Sequence, residues 1–342
     1  MIDQHSLSVL PGLTAREPGI QIGTQIPADA PDEALTFAAQ LGLEWVMTSV
    51  RSDAEHSADA YRAVVKRFAE YGLKVYRLAN DRCHNMDAVT LGLPSRDEKI
   101  EEYLTYIRNL AAAGITYSTY AHMANGIWSS GHEPIRGGAS GRVFRKADAR
   151  GRWGATMYDG PVTHGRDYTE DEIRRNYEYF IRKVVPVAEE AGVYIGIHPD
   201  DPPVYGLGGV PRCLFGTFDG YKQAIEIADS PNIGVCLCVG CWLEGGDLLG
   251  GDVFEMIRYF GERKKIFKVH FRNVTEPLPD GFTETFLDDG YMDMARVVRA
   301  LADVGFDGAI ISDHRPAMVG GHYAAEAFAV GFMRALIRTV GS

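Results

Sequence analysis

The sequence predicts an α/β protein of the (β/α)8 barrel class. Three observations indicate this fold. Short apolar runs alternate with helical patterns, eight of each are present, and several helical patterns end at a glycine just before the next apolar run. Continuous apolar runs are typical of parallel strands that are buried on both faces. Eight such strands can close a barrel, whereas a doubly wound sheet usually has fewer.

The predicted strands are rich in Val, Ile, Tyr and Thr, and their lengths are typical of strands in a barrel. In chain order they are Ile20–Ile26, Leu43–Val50, Leu73–Asn80, Ile115–Met123, Val193–Pro199, Ile233–Gly240, Ile266–Val274 and Ala309–Arg315.

The predicted helices fill the intervals between these strands. In order they are Pro31–Leu41, Ala58–Tyr71, Asp97–Ala113, Asp171–Ala191, Phe218–Ala228, Gly251–Arg263, Met294–Val304 and Tyr323–Val340. Gly42, Gly72 and Gly192 are examples of the glycine that ends a helix at the C′ position. Thr169 and Glu172 form a capping-box signature. Pro186 predicts a kink in the fourth helix, or a later start.

One connection is unusually long. Residues 124–168, after the fourth strand, contain nine glycines and carry seven Lys/Arg against four Asp/Glu, a local charge of +3. Loops of this length are usually functional or disordered. We expect a single barrel domain over residues 1–342 in which 124–168 is an insertion on the catalytic face. It is either a lid that helps to hold an anionic substrate or a solvated or oligomer-contacting segment.

Bulk composition excludes some functions. The 342 residues carry a formal net charge of −11, which disfavours nucleic-acid binding. No run of about 18 apolar residues predicts a membrane span, and the N-terminus lacks the pattern of a signal peptide. Five cysteines, an odd number, indicate reduced thiols and a cytoplasmic protein.

Four metal-type ligands stand at the ends of the last four predicted strands. They are His198, Cys238, His270 and Asp313. The carboxyl ends of barrel strands meet at one rim, where function is built. Imidazole, thiolate and carboxylate together suit a borderline divalent transition metal. A rival hypothesis is a zinc–thiolate cluster of Cys236, Cys238 and Cys241, but no second C-x-x-C pair supports it.

Polar residues near these ligands are candidates for chemistry. Arg272 faces the same side of its strand as His270 and can bind a substrate carboxylate or form an internal ion pair. His314 and Tyr323 are candidate general acid/base groups. For Tyr323, aromatic packing is the alternative.

Five sequence segments resemble mannonate dehydratases, which lie within the xylose-isomerase-like TIM barrels. The segments read IHPDDPP, CLCVGCW, VHFRN, FTETFLDDGYMDM and SDHRP, and the resemblance runs from about Tyr168 to the C-terminus. It implies a divalent ion, Mn²⁺ first and Fe²⁺, Co²⁺ or Zn²⁺ as alternatives, held by His198, Cys238, His270 and Asp313. It also implies acid/base roles for His314 and Tyr323.

The N-terminal half departs from that family. The third strand ends Leu78-Ala79-Asn80 where a VES-like sequence is usual, and the stretch from Ala121 to Ser130 differs as well. These segments help to shape the substrate pocket. The further predicted substrate contacts are Arg315, Asn80, His122 and Trp128.

The resemblance implies a hydro-lyase that converts D-mannonate to 2-keto-3-deoxy-D-gluconate and water. A dehydratase of another sugar acid, a sugar isomerase or epimerase of the same barrel class, and a non-enzymatic sugar-acid binding protein are the alternatives. The expected partner is a small sugar acid. We also expect a homodimer or homotetramer. The apolar residues Phe328, Phe332 and Leu336 of the last helix fit either barrel packing or a dimer face.

Overall fold

The computed structural model describes residues 4–340 and shows a barrel of eight parallel strands. The barrel strands are β1 (Gln21–Gln25), β2 (Trp45–Val50), β3 (Lys74–Asn80), β4 (Tyr117–Ala121), β5 (Tyr194–His198), β6 (Ile233–Cys238), β7 (Ile266–His270) and β8 (Ala309–Ile311). The hydrogen-bonded order is β3-β2-β1-β8-β7-β6-β5-β4. A bridge between Asn85 and Ala121 brings the two end strands together. The predicted barrel class is therefore confirmed.

Helices surround the barrel. They are α1 (Asp32–Gln40), α2 (Ala58–Ala69), α3 (Asp87–Leu91), α4 (Arg96–Ala112), α5 (Glu170–Ala191), α6 (Phe218–Ala228), α7 (Val239–Gly245), α8 (Val253–Glu262), α9 (Met294–Asp303) and α10 (Gly321–Val340). All eight predicted helices are present, and α3 and α7 are additional short ones. No helix within residues 4–340 has the length and apolar character needed to cross a bilayer.

Local sequence signals explain the helix ends. Thr169 caps α5 through the predicted capping box with Glu172, and Gly192 ends it in the left-handed conformation. The helix begins at Glu170 and continues through Pro186, so the later start that the proline allowed is not observed. The run predicted as strand Ile233–Gly240 ends at Cys238, whose side chain caps α7.

The barrel interior is filled differently at its two ends. At the amino end, aromatic rings pack edge to face: Trp45 against Tyr76, Tyr76 against Tyr117, and Tyr117 against Phe267. The Tyr76 hydroxyl donates a hydrogen bond to the Phe267 carbonyl at 2.5 Å. This packed layer fills the barrel interior at its amino end.

The insertion at residues 124–168 consists of two small antiparallel sheets instead of an irregular loop. One sheet contains Ile127–Ser129, Arg150–Trp153 and Thr156–Tyr158. The other joins His132–Pro134 and Ser140–Phe144 to Phe282–Thr285 and Asn273–Val274, which lie beyond β7. The insertion is therefore hydrogen-bonded to the connection between β7 and β8, across the carboxyl end of the barrel.

Candidate active site

The four predicted ligands lie at neighbouring positions on the barrel rim. His198, Cys238 and His270 are the last residues of β5, β6 and β7, and Cys238 and His270 are paired in register. Asp313 lies two residues beyond β8, with a left-handed backbone (φ 56°) that turns the chain out of the strand. Aspartate tolerates this conformation better than most residues. The strand ends thus hold all four side chains at one height.

The donor atoms of these residues converge. His198 Nε2 lies 3.1 Å from His270 Nδ1, which lies 3.3 Å from Asp313 Oδ2. Donor atoms of Cys238, His270 and Asp313 all lie within 4.8 Å of one another, and so do those of His198, Cys238 and Cys241. Three of the four predicted ligands thus form one group that could hold a metal ion, and His198 adjoins it through Cys238 and His270. The metal-capable groups within residues 4–340 combine cysteine with histidine or carboxylate, and none consists of three cysteines.

The ionisation of the ligands suits a cation. Burial opposes ionisation of the Cys238 thiol, but Cys241 and the Arg272 guanidinium hold its pKa well below the usual value. Burial likewise opposes ionisation of Asp313, but the charges of His270 and His314 hold its pKa well below the usual range. A thiolate and a carboxylate are the forms that bind a borderline divalent metal, so the donor set fits such an ion.

The second ring nitrogen of each histidine has its own partner. His198 Nδ1 lies 2.7 Å from the Pro199 carbonyl oxygen, to which it can donate, so that Nε2 faces the other ligands. His270 Nε2 lies 3.6 Å from Cys236 Sγ, so that Nδ1 faces them. Such partners fix the tautomer and the orientation of a metal-binding imidazole.

Arg272 lies beside the ligands and is only 1% exposed. Its guanidinium pairs with Asp201 at 2.9 Å, and with Glu244 and Glu284. The Nη2 atom also lies 3.3 Å from Cys238 Sγ. Gly240 makes this possible, because a Cβ there would overlap the Arg272 side chain. The structure shows the internal ion pairs, whereas a contact between Arg272 and substrate stays a prediction.

Arg142 reaches the same carboxylates from the insertion. It pairs with Asp201 and Glu284 at 2.8 Å and with Glu244 at 3.2 Å. Two guanidinium groups and three carboxylates thus form one buried network, which we call the carboxylate network. Arg142 and Glu284 were not predicted from the sequence, although Glu284 lies inside the segment FTETF that carried the resemblance.

His314 is held by this network. Its Nδ1 lies 2.8 Å from Glu284 Oε1, and its Nε2 lies 3.8 Å from Asp313 Oδ2. Burial lowers the His314 pKa, but the charges of Glu284 and Asp313 outweigh burial and raise it. His314 borders a cavity of about 320 Å³, which is also lined by His132, Ser140, Gly141, Arg142, Arg272, Glu284, Thr285, Arg315, Pro316 and Ala317.

Tyr323 lies outside the cavity that His314 borders. Its ring packs on Phe37 at a centroid distance of 4.5 Å and borders a separate cavity of about 540 Å³ between α1 and α10. Among the described contacts, none joins Tyr323 to His314. Arg315 borders both cavities, and it binds Ser312 Oγ at 3.1 Å and pairs with Glu326 at 2.9 Å.

The other three predicted substrate contacts face away from the ligands. His122 packs among Tyr120, Tyr177 and Phe215 and is 4% exposed. Burial lowers its pKa to about 3. The Asn80 side chain accepts a hydrogen bond from the Arg82 backbone at 2.9 Å.

Trp128 belongs to the insertion. Its indole nitrogen donates to Asn125 Oδ1 at 3.2 Å, and its ring borders a surface groove outside the barrel. The structure therefore gives His122, Asn80 and Trp128 packing and hydrogen-bonding partners away from the four ligands.

Comparison with known proteins identifies the family. A sequence model of the D-mannonate dehydratase (UxuA) family matches residues 161–336. A mannonate dehydratase of Streptococcus pneumoniae (strain 70585) is 34% identical over 265 residues, which cover 72% of this chain and 70% of that protein. The chain belongs to the mannonate dehydratase family. It is accordingly a hydro-lyase, a dehydratase of a sugar acid.

Further relatives agree with this family. A mannonate dehydratase of Thermotoga neapolitana is 30% identical over 270 residues, covering 71% of this chain and 73% of the relative. The crystal structure of mannonate dehydratase from Streptococcus suis serotype 2 superposes with a TM-score of 0.81 at 27% identity and covers 95% of this chain and 94% of that one.

More distant structures share only the fold. L-Ribulose 3-epimerase has a TM-score of 0.60 at 16% identity, and covers 94% of this chain and 96% of that one. This likeness shows a shared barrel fold.

Proposed function

We propose that the chain dehydrates D-mannonate to 2-keto-3-deoxy-D-gluconate in a metal-dependent reaction. The observation that carries the proposal is the convergence of His198, Cys238, His270 and Asp313 beside a histidine that Glu284 orients. These four residues would hold a divalent ion, with Mn²⁺ as the first choice. When bound, such an ion supplies Lewis acidity to substrate oxygens.

The reaction needs two proton movements. The C2 proton leaves, the C3 hydroxyl departs as water after gaining a proton, and the resulting enol rearranges to the keto acid. His314 borders the cavity, and its Nε2 lies 3.8 Å from Asp313 Oδ2, while Nδ1 is occupied by Glu284. We assign one of the two proton transfers to His314. A positioned acid/base group of this kind contributes about 10²–10⁴-fold in rate.

Tyr323 is the second acid/base candidate that the family resemblance implies. Its ring packs on Phe37, and none of the described contacts joins it to His314. The role of Tyr323 is therefore tested separately by substitution.

The insertion serves as a cover for this site. Arg142 links it to Asp201, Glu244 and Glu284, and Trp153 stacks on His84 at a centroid distance of 5.5 Å. A covered site excludes water and strengthens electrostatic interactions with a bound substrate.

The decisive experiment is an assay of the Mn²⁺-reconstituted protein against C5 and C6 sugar acids, D-mannonate included. We expect 2-keto-3-deoxy acid from D-mannonate that disappears with EDTA and returns with Mn²⁺. Turnover of a different sugar acid alone would make that acid the substrate and leave the proposed dehydration unchanged. Isomerised sugar without loss of water would overturn the proposal.

A further inference from the structure

Cys241 is a buried thiol beside the four predicted ligands, and no role has so far been given to it. It lies in the first turn of α7, three residues after Cys238, and is 0% exposed. The Cys241 backbone N–H donates a hydrogen bond to Cys238 Sγ at 3.4 Å. This turn folds the chain back over the end of β6, so that the two sulfur atoms lie within 4.8 Å of each other.

The metal-capable donors at the barrel rim form two groups that share Cys238. One group is Cys238, His270 and Asp313, and the other is Cys238, His198 and Cys241. Within each group, all donor atoms lie within 4.8 Å of one another. A tetrahedral ion that is about 2.3 Å from each of two sulfurs separates those sulfurs by about 3.8 Å. The second group therefore needs only a small adjustment of its side chains to enclose an ion.

Arg272 supplies the positive charge that a second thiolate needs. Its Nη2 lies 3.3 Å from Cys238 Sγ and 3.2 Å from Cys241 Sγ, so one guanidinium donates to both sulfurs. A neighbouring arginine stabilises a thiolate. Without an ion, burial and the adjacent Cys238 sulfur raise the pKa of the Cys241 thiol. A divalent ion that binds a thiol displaces its proton.

A third donor group already contains a cation of the chain itself. The donor atoms of Asp201, Cys241 and Glu244 also lie within 4.8 Å of one another. The Arg272 guanidinium pairs with Asp201 at 2.9 Å and with Glu244. Of the metal-capable groups within residues 4–340, only His198, Cys238 and Cys241 combine two sulfurs with an imidazole.

We propose that Cys241 is a fifth metal-binding residue, which forms with His198 and Cys238 a position for a thiophilic divalent cation such as Zn²⁺ or Cd²⁺. Thiolate and imidazole donors suit such ions, whereas carboxylate donors suit Mn²⁺. Both groups use the Cys238 sulfur, so a thiophilic ion competes with Mn²⁺ for this centre. The inference rests on the metal centre of the proposed function and adds which ions that centre selects.

Co²⁺ is a probe that reports the number of thiolate ligands, because each bound thiolate adds to a charge-transfer absorption in the near ultraviolet. Wild type, Cys241→Ser and Cys213→Ser are kept reduced, freed of metal with a chelator and loaded with equimolar Co²⁺. We expect the absorption of Cys241→Ser to be about half that of wild type, since the thiolate is the metal ligand. Cys213→Ser is the matched control and should equal wild type, because that thiol faces the Glu170 carbonyl.

Affinities of the same proteins show which ions depend on Cys241. Competition with a chelator of known affinity measures Zn²⁺ and Cd²⁺ binding, and electron paramagnetic resonance of free Mn²⁺ measures Mn²⁺ binding. Cys241→Ser should bind Zn²⁺ and Cd²⁺ at least about tenfold more weakly, since even losing a partner of a ligand has an effect of that size. Mn²⁺ affinity should fall less, because His270 and Asp313 remain.

X-ray absorption of the zinc-loaded wild type tests the proposal without any substitution. The spectrum counts the sulfur atoms that lie at bonding distance, about 2.3 Å, from the zinc ion. We expect two sulfurs, those of Cys238 and Cys241. This measurement decides the question even where Cys241→Ser fails to fold.

One sulfur around zinc in wild type, or equal Co²⁺ absorption in wild type and Cys241→Ser, would overturn the inference, even if the Mn²⁺-loaded protein forms keto acid. Parallel losses of Zn²⁺ and Mn²⁺ affinity with an unchanged Co²⁺ spectrum would make Cys241 a structural neighbour of Cys238 and overturn it as well. Two sulfurs around zinc in a protein that yields no keto acid from any sugar acid would sustain the inference and overturn the proposed function.

Discussion

A hydrogen bond between Glu284 and His314 joins the carboxylate network to the candidate acid/base histidine. Glu284 Oε1 accepts a hydrogen bond from His314 Nδ1 at 2.8 Å, and the same oxygen pairs with Arg142 at 2.8 Å. The carboxylate therefore engages Nδ1 of His314 and leaves Nε2 on the side of Asp313. An orienting carboxylate of this kind selects the tautomer and stabilises the protonated ring.

Replacing Glu284 by Gln should impair proton transfer more than substrate binding. We expect kcat to fall by about 10²-fold or more, because His314 loses its orienting partner, while KM changes little. The limb of the pH–rate profile that reports the ionisation of His314 should move to lower pH, because the Glu284 charge raises the His314 pKa. Steady-state kinetics across pH check this, and an unchanged profile would exclude Glu284 as the residue that positions His314.

Removing the Cys238 thiol should remove the metal. Cys238→Ala deletes one of four converging donors, and even losing a partner of a ligand typically costs about 10–100-fold in metal affinity. After dialysis and elemental analysis, we expect less than stoichiometric Mn²⁺ and loss of activity. Cys213→Ala is the control, since that thiol faces the Glu170 carbonyl at 3.8 Å, outside the site. A fully loaded Cys238→Ala protein would contradict the assigned ligand set.

Arg142 should contribute to stability as well as to covering the site. Arg142→Met leaves three buried carboxylates with one guanidinium instead of two, and breaking a buried pair costs about 3–5 kcal/mol. Chemical denaturation should show this loss, and hydrogen exchange should increase in residues 132–144. The exposed Arg152 of the same insertion is the control, where methionine should change stability by less than about 0.5 kcal/mol. Equal stabilities of the two variants would refute the role of Arg142.

His122 should make the fold sensitive to acid. Its pKa is about 3 in the folded chain because of burial, against about 6.5 when unfolded. The unfolded chain therefore binds one more proton between these pH values, and stability falls by about 1.4 kcal/mol per pH unit as pH decreases through that range. His122→Phe should flatten this dependence and keep activity at pH 7. His122→Phe with the wild-type slope would show that His122 is not the group responsible.

Tyr323→Phe and His314→Gln should differ sharply. The Tyr323 ring packs on Phe37, and phenylalanine retains that contact. We expect Tyr323→Phe to lose less than about tenfold in kcat, and His314→Gln to lose about 10²–10⁴-fold. Parallel turnover measurements at saturating Mn²⁺ decide this. A loss in Tyr323→Phe as large as that in His314→Gln would restore the tyrosine as the second acid/base group.

Much of the barrel and of the ligand positions could be predicted, because short apolar runs in the sequence indicate the strands and their ends. Apolar runs that end in His198, Cys238 and His270 mark strand ends, and barrel closure brings strand ends together. The alternation of side chains along a strand explains why one predicted substrate contact, His122, lies away from the four ligands. Ala121 pairs with His198 and faces inward, so His122 must face outward into the aromatic cluster. His122 was predicted as a substrate contact from its position near the end of the strand alone. That prediction did not take into account which side chains of the strand point inward.

The carboxylate network could not be predicted in the same way. Arg142 and Glu284 are 142 residues apart, and they meet because Ser140–Phe144 pairs with Phe282–Thr285 in a small sheet. No local signal specifies that pairing between two short segments that are far apart in the sequence. The partner of a strand in an insertion, when it is distant in sequence, is therefore known only from the three-dimensional structure.

Arg272 has a consequence for how this enzyme is assembled. Its Nη2 atom touches the Cys238 sulfur, while the same guanidinium shares Asp201, Glu244 and Glu284 with Arg142 of the insertion. Ion loading and insertion docking therefore act on one set of charges and should be thermodynamically coupled. Because coupling is reciprocal, any factor by which a docked insertion tightens ion binding is the factor by which the ion tightens docking.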